Sequence, residues 1–214
     1  MDTGVPVIIC PLAFERKNLT PVGSEGRCRV ETCGPGREGV TRWAGANRKP
    51  GGPVILAGLA GALVPEYEIG EVVLAEAVLA AGDKRIETTW RPQMEGVRTG
   101  TITSTTRTVT SRPAKGSLRA VTGATMVDQE SQAFAEVGHA LGWSFAIVRG
   151  IGDTLDAPPP PGCDKWVDHR GRVARGVVAA SILREPSLFR RMRQIRHSGE
   201  LALQALSDAL EQAI

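Results

Sequence analysis

The chain has 214 residues, 42% of them hydrophobic, with 25 glycines and a formal net charge of +3. That length supports one substantial core and is short for two. Four Phe and a single Tyr offer little for stacking single-stranded nucleic acid, and a charge of +3 is too mild to attract a polyanion, so nucleic-acid binding is excluded.

Read in chain order, Val5 to Cys10 is a short apolar run stopped by Pro11, which predicts a fully buried first strand. Cys28 to Thr32 predicts a second strand, running into the Cys33-Gly34-Pro35-Gly36 turn, with a helix following over Glu38 to Asn47. Pro53 to Ala57 predicts a buried strand that opens into a glycine-rich loop, Gly58 to Leu63. Gly70 to Ala81, whose alanines also permit helix, and Lys84 to Trp90 predict a strand pair turned at Ala81-Gly82-Asp83, and the β-branched Thr101 to Thr110 predicts another strand. Leu118 to Gly123 leads into Val127-Asp128-Gln129-Glu130-Ser131, which opens a helix over Gln129 to Leu141 that Gly142 stops. Asp128 is its expected N-cap. Ser144 to Ile151 predicts a buried strand leading into Arg149-Gly150-Ile151-Gly152-Asp153. Pro158 to Pro161 predicts a stiff, extended surface segment, and helices are expected over Val173 to Leu183 and Pro186 to Ile214.

Strands alternating with helices predict a three-layer α/β/α sandwich with a central mixed β-sheet, one domain over 1–214, with 186–214 as a C-terminal amphipathic segment. No run of about 18 apolar residues spans a bilayer, and no secretory leader is visible, so a cytoplasmic protein is expected. Cys10, Cys28, Cys33 and Cys163 lack paired spacing and are expected as reduced thiols. His139, His169 and His197 are scattered, so no metal is expected.

The chemistry-bearing residues are carboxylates. Asp153 ends a buried strand, where α/β sheets place ligands; alone, it also fits a turn. Glu130 opens a helix, where the helix dipole favours an acid for purely structural reasons. Glu15 follows the first strand, where an isolated Glu is ordinarily solvated. Gly58, Leu59, Ala60 and Gly61 bring backbone N–H groups close to an anion or pack strands tightly. Gly34, Gly36 and Arg37 form a weaker anion site of the same kind. Two carboxylates at one sheet edge suit N-glycosidic cleavage, in which a base must be protonated and a cation-like sugar stabilised.

In order and spacing, Gly58-Leu-Ala-Gly-Ala-Leu-Val-Pro-Glu-Tyr-Glu-Ile-Gly-Glu-Val-Val, Val127-Asp-Gln-Glu-Ser and Arg149-Gly-Ile-Gly-Asp resemble the nucleoside phosphorylase and methylthioadenosine/S-adenosylhomocysteine nucleosidase superfamily over roughly residues 5–155. Thr122 to Ser131 and the Pro-rich stretch after Asp153 most resemble hopanoid-associated phosphorylases, thought to remove adenine from adenosylhopane. The resemblance implies Asp153 as acid toward the purine and Glu130, with Gln129, on the ribose. It further implies Glu15 orienting the nucleophile and Gly58 to Gly61 beneath it. It also implies no cofactor, a homo-oligomer, and attack by either water or phosphate, inorganic phosphate being a co-substrate only in the second case. Leu59 replaces a common Ser, Gln129 a common Met, and Gly152 a Ser or Cys. The rival to an enzyme is a nucleoside or lipid-nucleoside binding protein on the same fold, which would release no base. On residues 186–197, Leu188, Phe189, Met192 and Ile195 recur at helical spacing among Arg190, Arg191, Arg193 and Arg196, an arrangement that suits either a packed helix with a solvated basic face or contact with an anionic membrane surface.

Overall fold

The computed structural model describes residues 4–24, 26–80 and 84–214. Eight strands form one mixed sheet: β1 (Val7–Cys10), β2 (Arg29–Thr32), β3 (Val54–Ala62), β4 (Val72–Ala80), β5 (Lys84–Glu87), β6 (Arg98–Ser104), β7 (Met126–Asp128) and β8 (Phe145–Asp153). The described residues also form six α-helices: α1 (Ala13–Leu19), α2 (Gly36–Ala46), α3 (Arg112–Thr122), α4 (Ser131–Leu141), α5 (Arg175–Arg184) and α6 (Leu188–Ala213).

Alternation along the central strands explains the layers. Val7 and Ile9, Val54 and Leu56, and Phe145 and Ile147 enter one core with Val40 and Trp43 of α2 and Phe134 of α4. Their neighbours Ile8 and Cys10, Ile55 and Ala57, and Ala146 and Val148 enter a second core with Leu19 of α1 and Leu203, Leu206 and Leu210 of α6. Each of those α6 leucines is fully buried and contributes about 1.5–3 kcal/mol. The fold is therefore mixed α/β with helices on both faces of the sheet.

The sheet also closes on itself. β3 runs parallel to β1 and β8; β8 pairs antiparallel with β4, β4 runs parallel to β6, β6 to β7, and β7 returns antiparallel to β3 at Gly61 and Ala62. β3, β8, β4, β6 and β7 thus form a ring, with β2 and β5 at the outer edges. The expected β4–β5 hairpin is present, although its turn at 81–83 lies outside the described residues.

Several expectations need correction. Gly58 to Ala62 is not a loop but the second half of β3. Residues 105–110 leave the sheet after Ser104, and Thr105 N–H donates to the Asp128 carbonyl at 2.9 Å. Glu15 lies within α1, not in a loop. The sequence reading missed α1, the three-residue β7 and α3. α3 carries an ordinary start and stop: Ser111 accepts from Ala114 N–H, Pro113 sits in the first turn, and Gly123 ends it at φ 71°. Pro159 and Pro160 are buried rather than on the surface, which costs no unsatisfied N–H because proline has none.

α6 crosses β8 at glycines. A Cβ on Gly150 would come within 2.7 Å of the Ala202 carbonyl oxygen, and one on Gly199 would lie 3.3 Å from Leu59 Cδ1. No helix among the described residues is long and apolar enough to cross a membrane.

Candidate active site

One cleft of about 1020 Å³ collects Glu15, Leu59, Ala60, Gly61, Gln129, Glu130 and Asp153, although they are spread over 139 positions of chain. Gly36 also lines it. Arg37 does not: its guanidinium is exposed and bonds Glu136 of α4 at 2.9 Å. Gly34 is likewise outside the lining, and its φ of 91° serves the entry to α2.

Glu15 is the third residue of α1, and its side chain reaches back to accept from Leu12 N–H at 2.8 Å, as a capping glutamate does. Its other oxygen accepts from Leu59 N–H of β3 at 2.9 Å. One carboxylate therefore ties α1 to the sheet. Burial pushes it up to about 7, against the two N–H bonds and the nearby Arg149 charge that pull it down.

Arg149 of β8 is fully buried and forms an ion pair with Asp128, with Glu130 Oε2 at 3.8 Å. Its Nε and Nη1 have no hydrogen-bond partner among the described residues. Asp128 is not the N-cap expected of it: α4 starts at Ser131 with Glu130 as N-cap, and Asp128 ends β7. It accepts from the N–H groups of Glu130 and Ser131 at 3.2 and 3.1 Å, and from Ser104 Oγ at 2.6 Å. From the end of β7, it joins the start of α4 to the arginine. Glu130 accepts from Gly36 N–H at 2.7 Å, and burial, reinforced by Asp128, raises its carboxyl above the usual range.

The glycines of β3 now have a physical reason. A Cβ on Gly58 would stand 2.7 Å from Glu15 Oε1 and 2.9 Å from Arg149 Nη1; one on Gly61 would stand 2.7 Å from Asp153 Oδ1. The carboxylates occupy the space that side chains would take. Between Ala60 and Gly61 the register with β8 shifts, so Gly152 is skipped and Asp153 sits opposite Gly61.

Asp153 forms an ion pair with Lys115 of α3, a fully buried residue that the sequence reading overlooked. Lys115 Nζ also donates to the Ala62 carbonyl at 3.1 Å. Burial raises the Asp153 carboxyl, with Lys115 acting against the rise. Gln129 bonds Thr108 Oγ1 at 3.1 Å and Asp164 at 3.3 Å along the same wall. An apolar stretch of the cleft is formed by Val173, Val178, Ile182, Phe189, Met192 and Ile195 of α5, α6 and the segment before them, with Lys17, Arg193, Arg196 and Glu200 also on the lining.

Residues 83–182 match the family model described as Phosphorylase superfamily. No curated protein matches the sequence. Among solved structures, the chain is similar to futalosine hydrolase of Helicobacter pylori, with TM-score 0.68 and 14% identity over 97% of this chain and 96% of that one. It is similar to 5′-methylthioadenosine nucleosidase of Arabidopsis thaliana, with TM-score 0.68 and 14% identity over 97% and 93%. It is also similar to S-adenosylhomocysteine nucleosidase of Streptococcus pyogenes in complex with 5-methylthiotubericidin, with TM-score 0.66 and 17% identity over 100% and 99%. At these identities, the likeness shows a shared fold.

Proposed function

We propose that this chain is an enzyme that hydrolyses the N-glycosidic bond of a purine nucleoside, adenine being the favoured base, with an apolar group at the sugar 5′ position. The observation that carries the reading is the single cleft lined by Asp153, Glu130 and Glu15, with buried Arg149 acting on Glu130 and Glu15 and buried Lys115 paired to Asp153. Water attacks the anomeric carbon and gives a proton to Glu15. The carbon–nitrogen bond breaks, its electron pair passes to the purine, and Asp153 donates a proton to a ring nitrogen. Glu130 holds the ribose hydroxyls.

Water is favoured over phosphate by the charges. A phosphate dianion at Leu59–Gly61 would face Glu15, Glu130 and Asp153, while the two buried cations beside it, Arg149 and Lys115, are already paired to Asp128 and Asp153; Gly58 does not line the cleft. Arg37 is turned to Glu136, and Lys17, Arg193 and Arg196 stand exposed at the rim. The unpartnered Nε and Nη1 of Arg149 suit a neutral water, which Leu59, lacking a hydroxyl, cannot hold. The deciding assay is release of base from adenosine, methylthioadenosine and a long-chain 5′-alkylthioadenosine, each with and without phosphate. Release without phosphate is the expected result; a strict phosphate requirement makes the enzyme a phosphorylase, and no release at any enzyme concentration leaves a binding protein.

A base must be ionised to accept a proton. With Glu15 held near 7, kcat/KM rises as pH increases through about 7. Glu15→Gln removes that limb and lowers kcat by about 10²–10⁴-fold. A profile in E15Q that keeps the limb assigns it to another group.

The apolar stretch of the cleft supports a lipid-linked nucleoside such as adenosylhopane as substrate, and the rim supports delivery from a membrane. Leu183 is 84% and Phe189 56% exposed, beside Arg184, Arg190 and Arg191, a combination that complements an anionic bilayer. The protein is expected to co-sediment with phosphatidylglycerol-containing vesicles and not with pure phosphatidylcholine. Reversing Arg190 and Arg191 to Glu should weaken binding at least about tenfold, since each juxtamembrane cation contributes about 1 kcal/mol. Equal sedimentation by the reversed variant, or a stable dimer in solution that Leu183→Asp dissociates, would assign this surface to something other than lipid.

A further inference from the structure

We propose that Lys115 is a positioning residue for Asp153: from α3, it holds the carboxyl over Gly61 and stabilises the anion left when the proton passes to the departing base. The inference rests on the proposed hydrolysis and adds a residue to it.

Three observations converge on this lysine. Its side chain is fully buried, while that of Asp153 is 24% exposed to the cleft, so the ion pair is closed on the protein side and open on the ligand side. Its ammonium is aimed by a second bond to the Ala62 carbonyl, at the end of the strand that carries Gly61. A Cβ on Gly61 would stand 3.0 Å from Nζ and 2.7 Å from Asp153, so that glycine makes room for both partners. A buried lysine is costly to desolvate, and a brace between α3 and β3 needs no charge. A cation placed behind a carboxyl that must lose a proton has a chemical use.

Burial alone would make Asp153 too weak an acid, because its anion would lack solvent. As the glycosidic bond breaks, the base takes the electron pair and then the Asp153 proton, and the resulting carboxylate faces the Lys115 ammonium instead of apolar protein. Water later returns the proton. Lys115 touches neither sugar nor base in this scheme. Of the other groups near Asp153, Cys163 senses its charge from the 3-10 turn after β8, and Arg112, also on α3, is exposed and forms an ion pair with Asp156. Asp164, Glu130 and Glu15 line the same cleft.

The test is the pH profile of kcat/KM for base release by the full-length protein, in Lys115→Met and Lys115→Arg beside the unaltered enzyme. Activity needs protonated Asp153, so the rate falls as pH rises through its folded value. Removing the cation raises that value, and the alkaline limb in K115M should move up by about 1–3 pH units, with kcat reduced and KM little changed. K115R keeps the charge and should keep the limb near its original position. A K115M enzyme whose limb stays in place, or a K115R enzyme whose limb moves as far as that of K115M, overturns the inference. Should K115M not fold, K115R decides it by the position of its limb. Absence of base release by the unaltered enzyme is a different result, read before either variant, and overturns the parent reading.

Discussion

Asp153→Asn is expected to slow turnover by about 10²–10⁴-fold while leaving the fold in place. The amide has the shape of the carboxyl and its oxygen can still accept from Lys115, so the fold is kept, with Tm lowered because the buried ammonium loses its anion. It can donate a hydrogen bond to a purine nitrogen but cannot transfer a proton. General acid catalysis contributes about 10²–10⁴-fold, and kcat should fall by that factor with KM nearly constant. Glu130→Gln makes the contrast. A residue that binds ribose in both ground and transition states raises KM when weakened. Steady-state release of adenine, followed by absorbance, separates the two patterns. The double variant D153N/K115M should be no slower than D153N alone, because the lysine acts only through the acid it supports. Residual turnover in D153N near that of the unaltered enzyme would remove Asp153 from the chemistry and leave Glu15 and Glu130 to explain it.

Much of the sheet could be read because buried strands announce themselves locally. VPVIIC, PVILA and SFAIV are apolar runs of strand length, and β1, β3 and β8 lie on them. The carboxylates of the cleft were readable as candidates from their placement at element ends. What joins them was not. Arg149 stood inside a quoted motif, yet its partner Asp128 is 21 residues away on a three-residue strand too short for any periodic signal. Gly58 and Gly61 argued for a loop, since glycine weakens a strand. Only the arrival of Glu15 and Asp153 against the backbone explains why β3 tolerates them. α3 had a serine cap, a first-turn proline and a terminal glycine. Its Val121 is turned to solvent, and Leu118 is its anchor on Leu63, Ala124 and Val127, so no apolar stripe marked it. With α3 unread, Lys115 was invisible. Ring closure through two residue pairs between β3 and β7 is likewise a property of the folded chain alone.

Arg149→Met is expected to be strongly destabilising, and its pH dependence is the more informative part. The guanidinium is the fully buried cation between Asp128 and Glu130, and its field also lowers Glu15. Methionine fills similar volume, so the loss is electrostatic: a buried carboxylate stripped of its partner costs about 3–5 kcal/mol. Urea unfolding at neutral pH should show a loss of that size. Glu15 is already held near 7, above its ordinary 4.5, and Glu130 is raised as well. Both rise further without the arginine. In the unfolded chain these acids ionise near 4.5, while in the fold they keep their protons, so the folded state binds more protons above that pH. Stability of R149M should therefore be greatest below about 4.5 and decline as pH climbs through 7 and beyond. The difference from the unaltered protein narrows in acid and widens toward neutrality. A destabilisation independent of pH would mean that Arg149 acts by packing, and the cluster would then need another source for its shifted acids. A normal fold at neutral pH with the acid limb of kcat/KM moved upward would instead show that the cluster tolerates the missing charge by keeping its protons, at the direct expense of the base that activates water.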